Sequence, residues 1–449
     1  MDMLKDSCKR SLIVFSIPMI LSLLTQQFYN ICDTLIVGRL LGADMLSAVG
    51  NAGTIINITT IVCGGFELGG QMLFSEAMGR KTYGVIKKGV VQMLVFSAFT
   101  AVIISTGAIL FRNEIFSAIG LPEELYGATG RYFVLYMAGI LFLFLQSISN
   151  SAILAMGDSK SILILSAASS VINIVLDYCF IRFGGMGTEG AALATVIAQA
   201  AGMTGSGYLL RKRLKSLPED QEPVPKGLLV RILGISIPSM FQQFALTFGG
   251  ALMQTLINSF GTEISNGYVV VQRVTSFGLM PVVGLAQSLS VFGSANRGAM
   301  QYKRIGEAIR FTMVLVLGYI VIMDAFFLWK PGSVVSLFLK EAEGSEGFLF
   351  ACHYLSYSAL AYLLTGVEYL MESLLRGFGR MKLFLMTTLV FLVLNIGLAW
   401  ILEESLGPNA IWVSNMTGRL AVAILSSALM VYVYCKEKKL HIDKSIIYE

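Results

Sequence analysis

The sequence predicts an all-α polytopic membrane protein: twelve transmembrane helices in two pseudo-symmetric six-helix lobes. Three observations lead there. Apolar runs of about twenty residues, the length that a bilayer span requires, recur from end to end. Charged residues make up only 14% of the 449, against about 25% in a typical soluble chain. Short motifs of the first half also return in the second. A soluble helix keeps a polar outer face, which these runs lack. Barrel strands would be about ten residues long and alternating, so helices are the element that fits.

The predicted spans are 11–37, 46–75, 86–111, 131–155, 161–181, 190–210, 232–258, 266–294, 309–329, 351–375, 383–402 and 410–434. Met1–Arg10 followed by an apolar run resembles a signal peptide. No small-residue cleavage site follows, and the apolar segment outruns a signal's core, so it reads as a retained first span. Of the 33 Lys and Arg, 25 fall at the N-terminus, the C-terminus and the even-numbered loops. Six fall in the odd-numbered loops, and Arg273 and Arg419 lie within spans. The positive-inside rule then places both termini in the cytoplasm of a cell whose inner membrane holds the chain. The net charge of +5 is thereby a topology signal, not a nucleic-acid footprint.

Cys8, Cys32, Cys63, Cys179, Cys352 and Cys435 form no CxxC pair, and His353 and His441 are the only histidines. That pattern supplies no zinc or iron site. No GxxxxGK[ST] loop is present to hydrolyse ATP. The expectation is a non-enzyme without cofactor, driven by an ion gradient or by downhill flow, with no obligatory protein partner.

The repeat is legible in detail. Gly157-Asp158-Ser159-Lys160 precedes the fifth span, with Asn173 thirteen residues after Lys160. Gly379-Arg380-Met381-Lys382 precedes the eleventh, with Asn395 thirteen residues after Lys382, an offset of 222 throughout. Ser16-Ile17-Pro18 and Gln26-Gln27-Phe28 are echoed by Ser236-Ile237-Pro238 and Gln242-Gln243-Phe244. Six helices per copy give both copies the same orientation, a parallel repeat. The predicted division is a lobe at 1–210, a cytoplasmic linker at 211–231 and a second lobe at 232–449. Secondary transporter, lipid-precursor flippase and structural subunit are the three explanations of such a duplicated chain.

A carboxylate at mid-span costs roughly 2.5–3.5 kcal/mol on insertion scales, so each one needs a reason. Gln26, Tyr29 and Asp33 make one polar stripe on the first span, spaced i, i+3 and i+7. Pro18, in the same helix, permits a bend. Asn173 and Asp177 share a face of the fifth span, and Thr195 ends the small-residue run Gly190–Thr195 of the sixth, which lets a neighbour approach closely. These oxygens suit a hard monovalent cation or a proton. Two plainer readings stand beside this: Asp177 as an interfacial residue held by Arg182, and Asp33 as a structural hydrogen bond. The second lobe has Ala399 and Leu252 where Asp177 and Asp33 would recur. Glu67, between two glycine pairs, and Arg273, Glu368 and Glu372 are candidate substrate or lobe contacts. The last three are equally readable as an intramembrane salt bridge. Asp324 and Arg419 read as interfacial.

The residues Phe28-Tyr29-Asn30-Ile31-Cys32-Asp33-Thr34-Leu35-Ile36-Val37-Gly38-Arg39 resemble the first-helix signature of the MATE (multidrug and toxic compound extrusion) transporters. Ala155–Lys160, Asn173–Asp177 and Gly190–Thr195 resemble that family's signature from helix four to helix six. Leu375-Arg376-Gly377 and Asn296-Arg297-Gly298-Ala299 continue the likeness through the second half. The resemblance implies an antiporter that expels amphipathic, often cationic compounds in exchange for sodium ions or protons. It implies two six-helix lobes around a substrate cavity, and a cation site at Asp33, Asn173, Asp177 and Thr195, with Tyr29 and Gln26 as neighbours. A second branch of the family places acids in helices seven and ten. Here the seventh span has none, and Thr365 stands where that branch has its acid. The alternative reading is a flippase of lipid-linked oligosaccharide or lipid from the same superfamily, which would want several basic residues in its cavity.

Overall fold

The computed structural model describes residues 3–219, 225–338 and 344–447, with side chains to residue 439. The middle of the predicted linker (220–224), part of the ninth loop (339–343), the last two residues of the tail and the His441 side chain lie outside that description. Every described element is helical. In order they are α1 (Cys8–Leu41), α2 (Ala43–Arg80), α3 (Tyr83–Leu110), the short α4 (Arg112–Ala118), α5 (Tyr126–Ala155), α6 (Ser159–Arg182) and α7 (Thr188–Ser216). The second half contains α8 (Leu228–Ser259), α9 (Thr262–Gly298), α10 (Tyr302–Trp329), the short α11 (Pro331–Val335), α12 (Glu346–Tyr357), α13 (Ala359–Gly377), α14 (Met381–Leu406) and α15 (Ala410–Ile447).

Among the described residues nine helical stretches are long and apolar enough to cross a membrane, or ten when the bent pair α12–α13 counts as one. α14 and α15 satisfy the test as one stretch, Met381–Lys439, although a 3-10 turn at Gly407–Asn409 divides them. α7 falls short on apolarity, because Gly, Ser, Thr and Gln199 dilute its apolar stretch before four basic residues end the helix. It also takes in Arg211–Ser216 of the predicted linker, as α8 takes in Leu228–Arg231. The predicted tenth span, 351–375, is not one straight helix: α12 and α13 meet at Ser358 with a bend of 52°. Ser356 Oγ donates to the Cys352 carbonyl at 2.9 Å, a back-bond of the kind that bends helices.

Cα packing divides the chain into two compact units. One contains Ile17–Met240; the other contains Met3–Ser16 and Phe241–Glu449. The chain therefore changes unit inside α1 and again inside α8, and both changes fall within three residues of a helix proline, Pro18 and Pro238.

In the first unit α5 is central, packed by α2, α3 and α7. Ala191, Ala192 and Ala194 of the small-residue run are buried, and Gly139 of α5 sits against Val196. Small side chains here let two helix backbones come close, as that run predicts. The glycines flanking Glu67 serve the same end, since a side chain at Gly65 or Gly69 would run into Met240 and Ser236 of α8. Overpacking of this kind costs about 1–3 kcal/mol. Gly69→Val is therefore expected to lower the unfolding temperature in detergent. Gly107→Val, where the space around the Cβ is open, is expected to leave it unchanged.

The two repeated turns differ in charge. Gly157, at φ +85, turns the chain into α6, and Asp158 caps it by accepting from Ser161 N at 3.1 Å and Ser161 Oγ at 2.8 Å. Arg213 of α7 pairs with the same carboxylate. Burial would raise the Asp158 carboxyl, but the Ser161 hydrogen bonds and the Arg213 guanidinium hold it below the usual range. In the second unit Gly379, at φ +68, makes the same turn, but Arg380 stands in Asp158's place. It pairs with Glu437 of α15 at 3.0 Å, which Arg297 also engages at 2.7 Å. The ion pair is retained with its signs exchanged.

Candidate functional site

The polar stripe of α1 points its middle and lower members inward. Gln26 is exposed, while Tyr29 and Asp33 are half-buried. Asn173 and Asp177 of α6 are buried at 2% and 0% exposure, and Thr195 of α7 at 6%. One helical turn separates Asn173 from Asp177, so both side chains leave α6 on the same face.

Asn173 Nδ2 donates to Thr195 Oγ1 at 3.2 Å, and Thr195 Oγ1 donates to the Ala191 carbonyl at 3.0 Å. One N–H of the asparagine amide is thereby engaged while its Oδ1 receives nothing. The Asp33 and Asp177 side chains meet. Asp33 Oδ1 and both Asp177 oxygens are buried without a donor. Four acceptor oxygens on α1 and α6 thus lie buried with no proton directed at them.

Buried acceptors normally find partners, and a cluster left without any is costly. One hydrogen ion shared between the carboxyls, or one sodium ion among the oxygens, would supply what is missing. Asp177 is not the interfacial residue of the plainer reading: it is fully buried and faces Asp33, while Arg182 is exposed.

Three surrounding residues were not legible as site residues. Tyr132 and Tyr136 of α5 lie near Asp33 and Tyr29, and Gln199 Nε2 donates to Tyr136 Oη at 3.2 Å. Their i, i+4 spacing, Tyr132 to Tyr136 and Thr195 to Gln199, was the available signal. Glu67 is half-buried on α2 and meets Ser147 of α5.

The second unit resolves the remaining candidates differently from the sequence expectation. Arg273 is exposed on α9 and makes no salt bridge to the α13 acids. Glu368 is paired instead with Arg419 of α15, whose Nη1 donates to both of its oxygens at 2.9 Å. Arg419 is therefore a half-buried ion-pair partner, with its guanidinium 4.2 Å from the centre of the Phe391 ring. Glu372 accepts from Thr387 Oγ1 at 2.6 Å. Asp324, also expected at the interface, is 5% exposed. It lies near Tyr362 of α13, which its place near the helix end does not reveal.

The MatE family model matches residues 18–179 and again 238–401, one range in each half. The probable multidrug resistance protein YoeA of Bacillus subtilis is 27% identical over 387 residues, covering 84% of this chain and 82% of that protein. The multidrug export protein MepA of Staphylococcus saprophyticus is 23% identical, covering 99% and 98%. Among solved structures, the bent form of the Vibrio cholerae MATE transporter VcmN superposes with a TM-score of 0.89 at 19% identity, over 96% of this chain and 98% of that one.

Proposed function

Because the chain belongs to the MatE family, we propose that it is a secondary multidrug exporter, exchanging sodium ions or protons for amphipathic, often cationic organic compounds by alternating access. The observation that carries this reading is the donorless acid pair Asp33–Asp177, with Asn173 Oδ1 beside it. In the proposal Asp33, Asn173, Asp177 and Thr195 hold the coupling ion, and Tyr29 closes the site. The names of the relatives, multidrug resistance and multidrug export proteins, support the class of cargo. A bound cation removes the repulsion between the carboxylates and stabilises the packing of α1 against α6 and α7. Loss of the ion destabilises that packing and favours substrate.

Purified protein in liposomes tests this. A sodium or a proton gradient is expected to drive accumulation of a fluorescent organic cation, and the gradient that works identifies the ion. Accumulation under neither gradient overturns the reading.

The proposed topology is twelve spans in a bacterial inner membrane, with both termini cytoplasmic, on the 25-to-6 distribution of Lys and Arg. Reporters fused after Lys88, Lys215 and Glu449 are expected to give cytoplasmic signals, and one after Glu263 an external signal. An external C-terminus contradicts it.

A further inference from the structure

We propose that a cavity inside the second unit binds a small aromatic carboxylate, and that it is the donor-bearing counterpart of the acid pair in the first unit. The cavity has a volume of about 170 Å³. Its polar wall includes Tyr268, Tyr354, Tyr362, Asn395, Asn415 and Arg419, and no Asp or Glu is among its lining residues. An engineered apolar cavity of about 150 Å³ holds benzene, so one six-membered ring with a substituent is the size that fits.

The repeat places this cavity. At the offset of 222 that relates the two halves, Tyr132 becomes Tyr354 and Asn173 becomes Asn395. In the first unit those residues stand around Asp33 and Asp177. In the second, Ala399 stands in Asp177's place and, at the approximate offset of 219 that fits the loop after the first helix, Leu252 in Asp33's, while α15 contributes Arg419 to the cavity wall.

The asparagine amides are turned to match. Asn173 uses its N–H₂ on Thr195 and leaves its oxygen unpaired. Asn395 instead accepts from Ser414 Oγ at 3.3 Å through its oxygen, which leaves its N–H₂ for the cavity. Arg419 engages Glu368 through Nη1, so Nε and Nη2 remain for a ligand. One site presents acceptors, the other donors.

The wall is also flat and aromatic. Tyr268 stacks on Tyr354 with ring centres 5.9 Å apart and planes 8° apart, and Tyr354 stacks on Trp412 at 6.2 Å. A planar carboxylate is the group that a fixed guanidinium edge recognises best. A ring attached to it would lie among the tyrosines at offset-stacking distance.

The proposal depends on the export reading only in taking the bound molecule as cargo. Its test uses no ion gradient, so its failure leaves coupling at Asp33 standing, and failure of coupling leaves it standing.

Trp412 is the reporter. In full-length protein purified in detergent, with Trp329→Phe and Trp400→Phe to remove the other two tryptophans, benzoate is titrated at constant ionic strength. Benzylammonium, with the same ring and the opposite charge, is the control. Benzoate is expected to change Trp412 emission saturably, and benzylammonium is not. The double variant Glu368→Gln/Arg419→Gln removes the guanidinium without leaving its partner charged, and should weaken benzoate binding at least tenfold. Asn415→Asp, which puts a carboxylate in the wall, should weaken it by a similar factor and serves where the double variant does not fold. Equal responses to both probes, a preference for benzylammonium, or undiminished benzoate affinity in the folded variants would overturn the proposal.

Discussion

Asp33→Asn is expected to abolish ion-linked efflux while the protein still folds and inserts. The substitution keeps the shape of the side chain and imitates the neutral acid, so helix packing around α1 is retained. What disappears is the charge whose neutralisation distinguishes two states. Two carboxylates held about 4 Å apart repel by about 4 kcal/mol at an effective dielectric constant of about 20. In the proposed mechanism, an ion that binds between them cancels that repulsion in one conformation only.

A ligand shifts an equilibrium by its differential affinity for the two states and by nothing else. Moving a population from 1:99 to 99:1 requires about 10⁴-fold of such preference, which a neutral amide beside Asp177 does not supply. Asp177→Asn is expected to act in the same direction, less completely, because it leaves the carboxylate of the polar stripe on α1 in place. Drug resistance in an efflux-deficient host, with expression checked by blot, measures both. Cells carrying Asp33→Asn should be as drug-sensitive as cells without the transporter. Wild-type resistance there would show this aspartate to be structural, and the coupling proposal would fall.

Glu368→Gln is expected to be among the most destabilising single changes in the second unit. The carboxylate side chain is 5% exposed and its arginine partner 18%. Breaking a buried pair by removing one charge costs about 3–5 kcal/mol, because the other is left uncompensated. Glutamine can still accept a hydrogen bond from Arg419, which puts this variant at the lower end. Glu368→Gln/Arg419→Gln, with neither charge present, should recover most of the loss. Heating detergent-purified protein and measuring the monodisperse fraction gives the midpoints. A midpoint for Glu368→Gln equal to that of the parent, or a double variant worse than the single, would mean that the pair does not stabilise this unit.

Much of this protein is legible without coordinates. Apolar runs place nearly every long helix, because a span's length and composition are dictated by the bilayer rather than by its neighbours. The stripe Gln26–Tyr29–Asp33 and the pair Asn173–Asp177 are readable because helix periodicity puts residues three, four and seven apart on one face. The 222-residue repeat identifies Asn395 as the counterpart of Asn173, and Ala399 as the missing acid.

Other features depended on helix packing. α7 runs through the predicted sixth span and on into the predicted linker, to Ser216, an end that the apolar run at 190–210 does not mark. The tenth span bends by 52° at Ser358, which an apolar run does not mark. Arg273 and Arg419 both lie in predicted spans, yet only Arg419 reaches Glu368, 51 residues away. Asp324, close to the end of its helix, turns inward and is buried. Periodicity determines which residues share a face of a helix. It does not determine which helix that face meets, because that follows from side-chain shape and backbone approach summed over the whole unit, and those quantities exist only once the chain has packed.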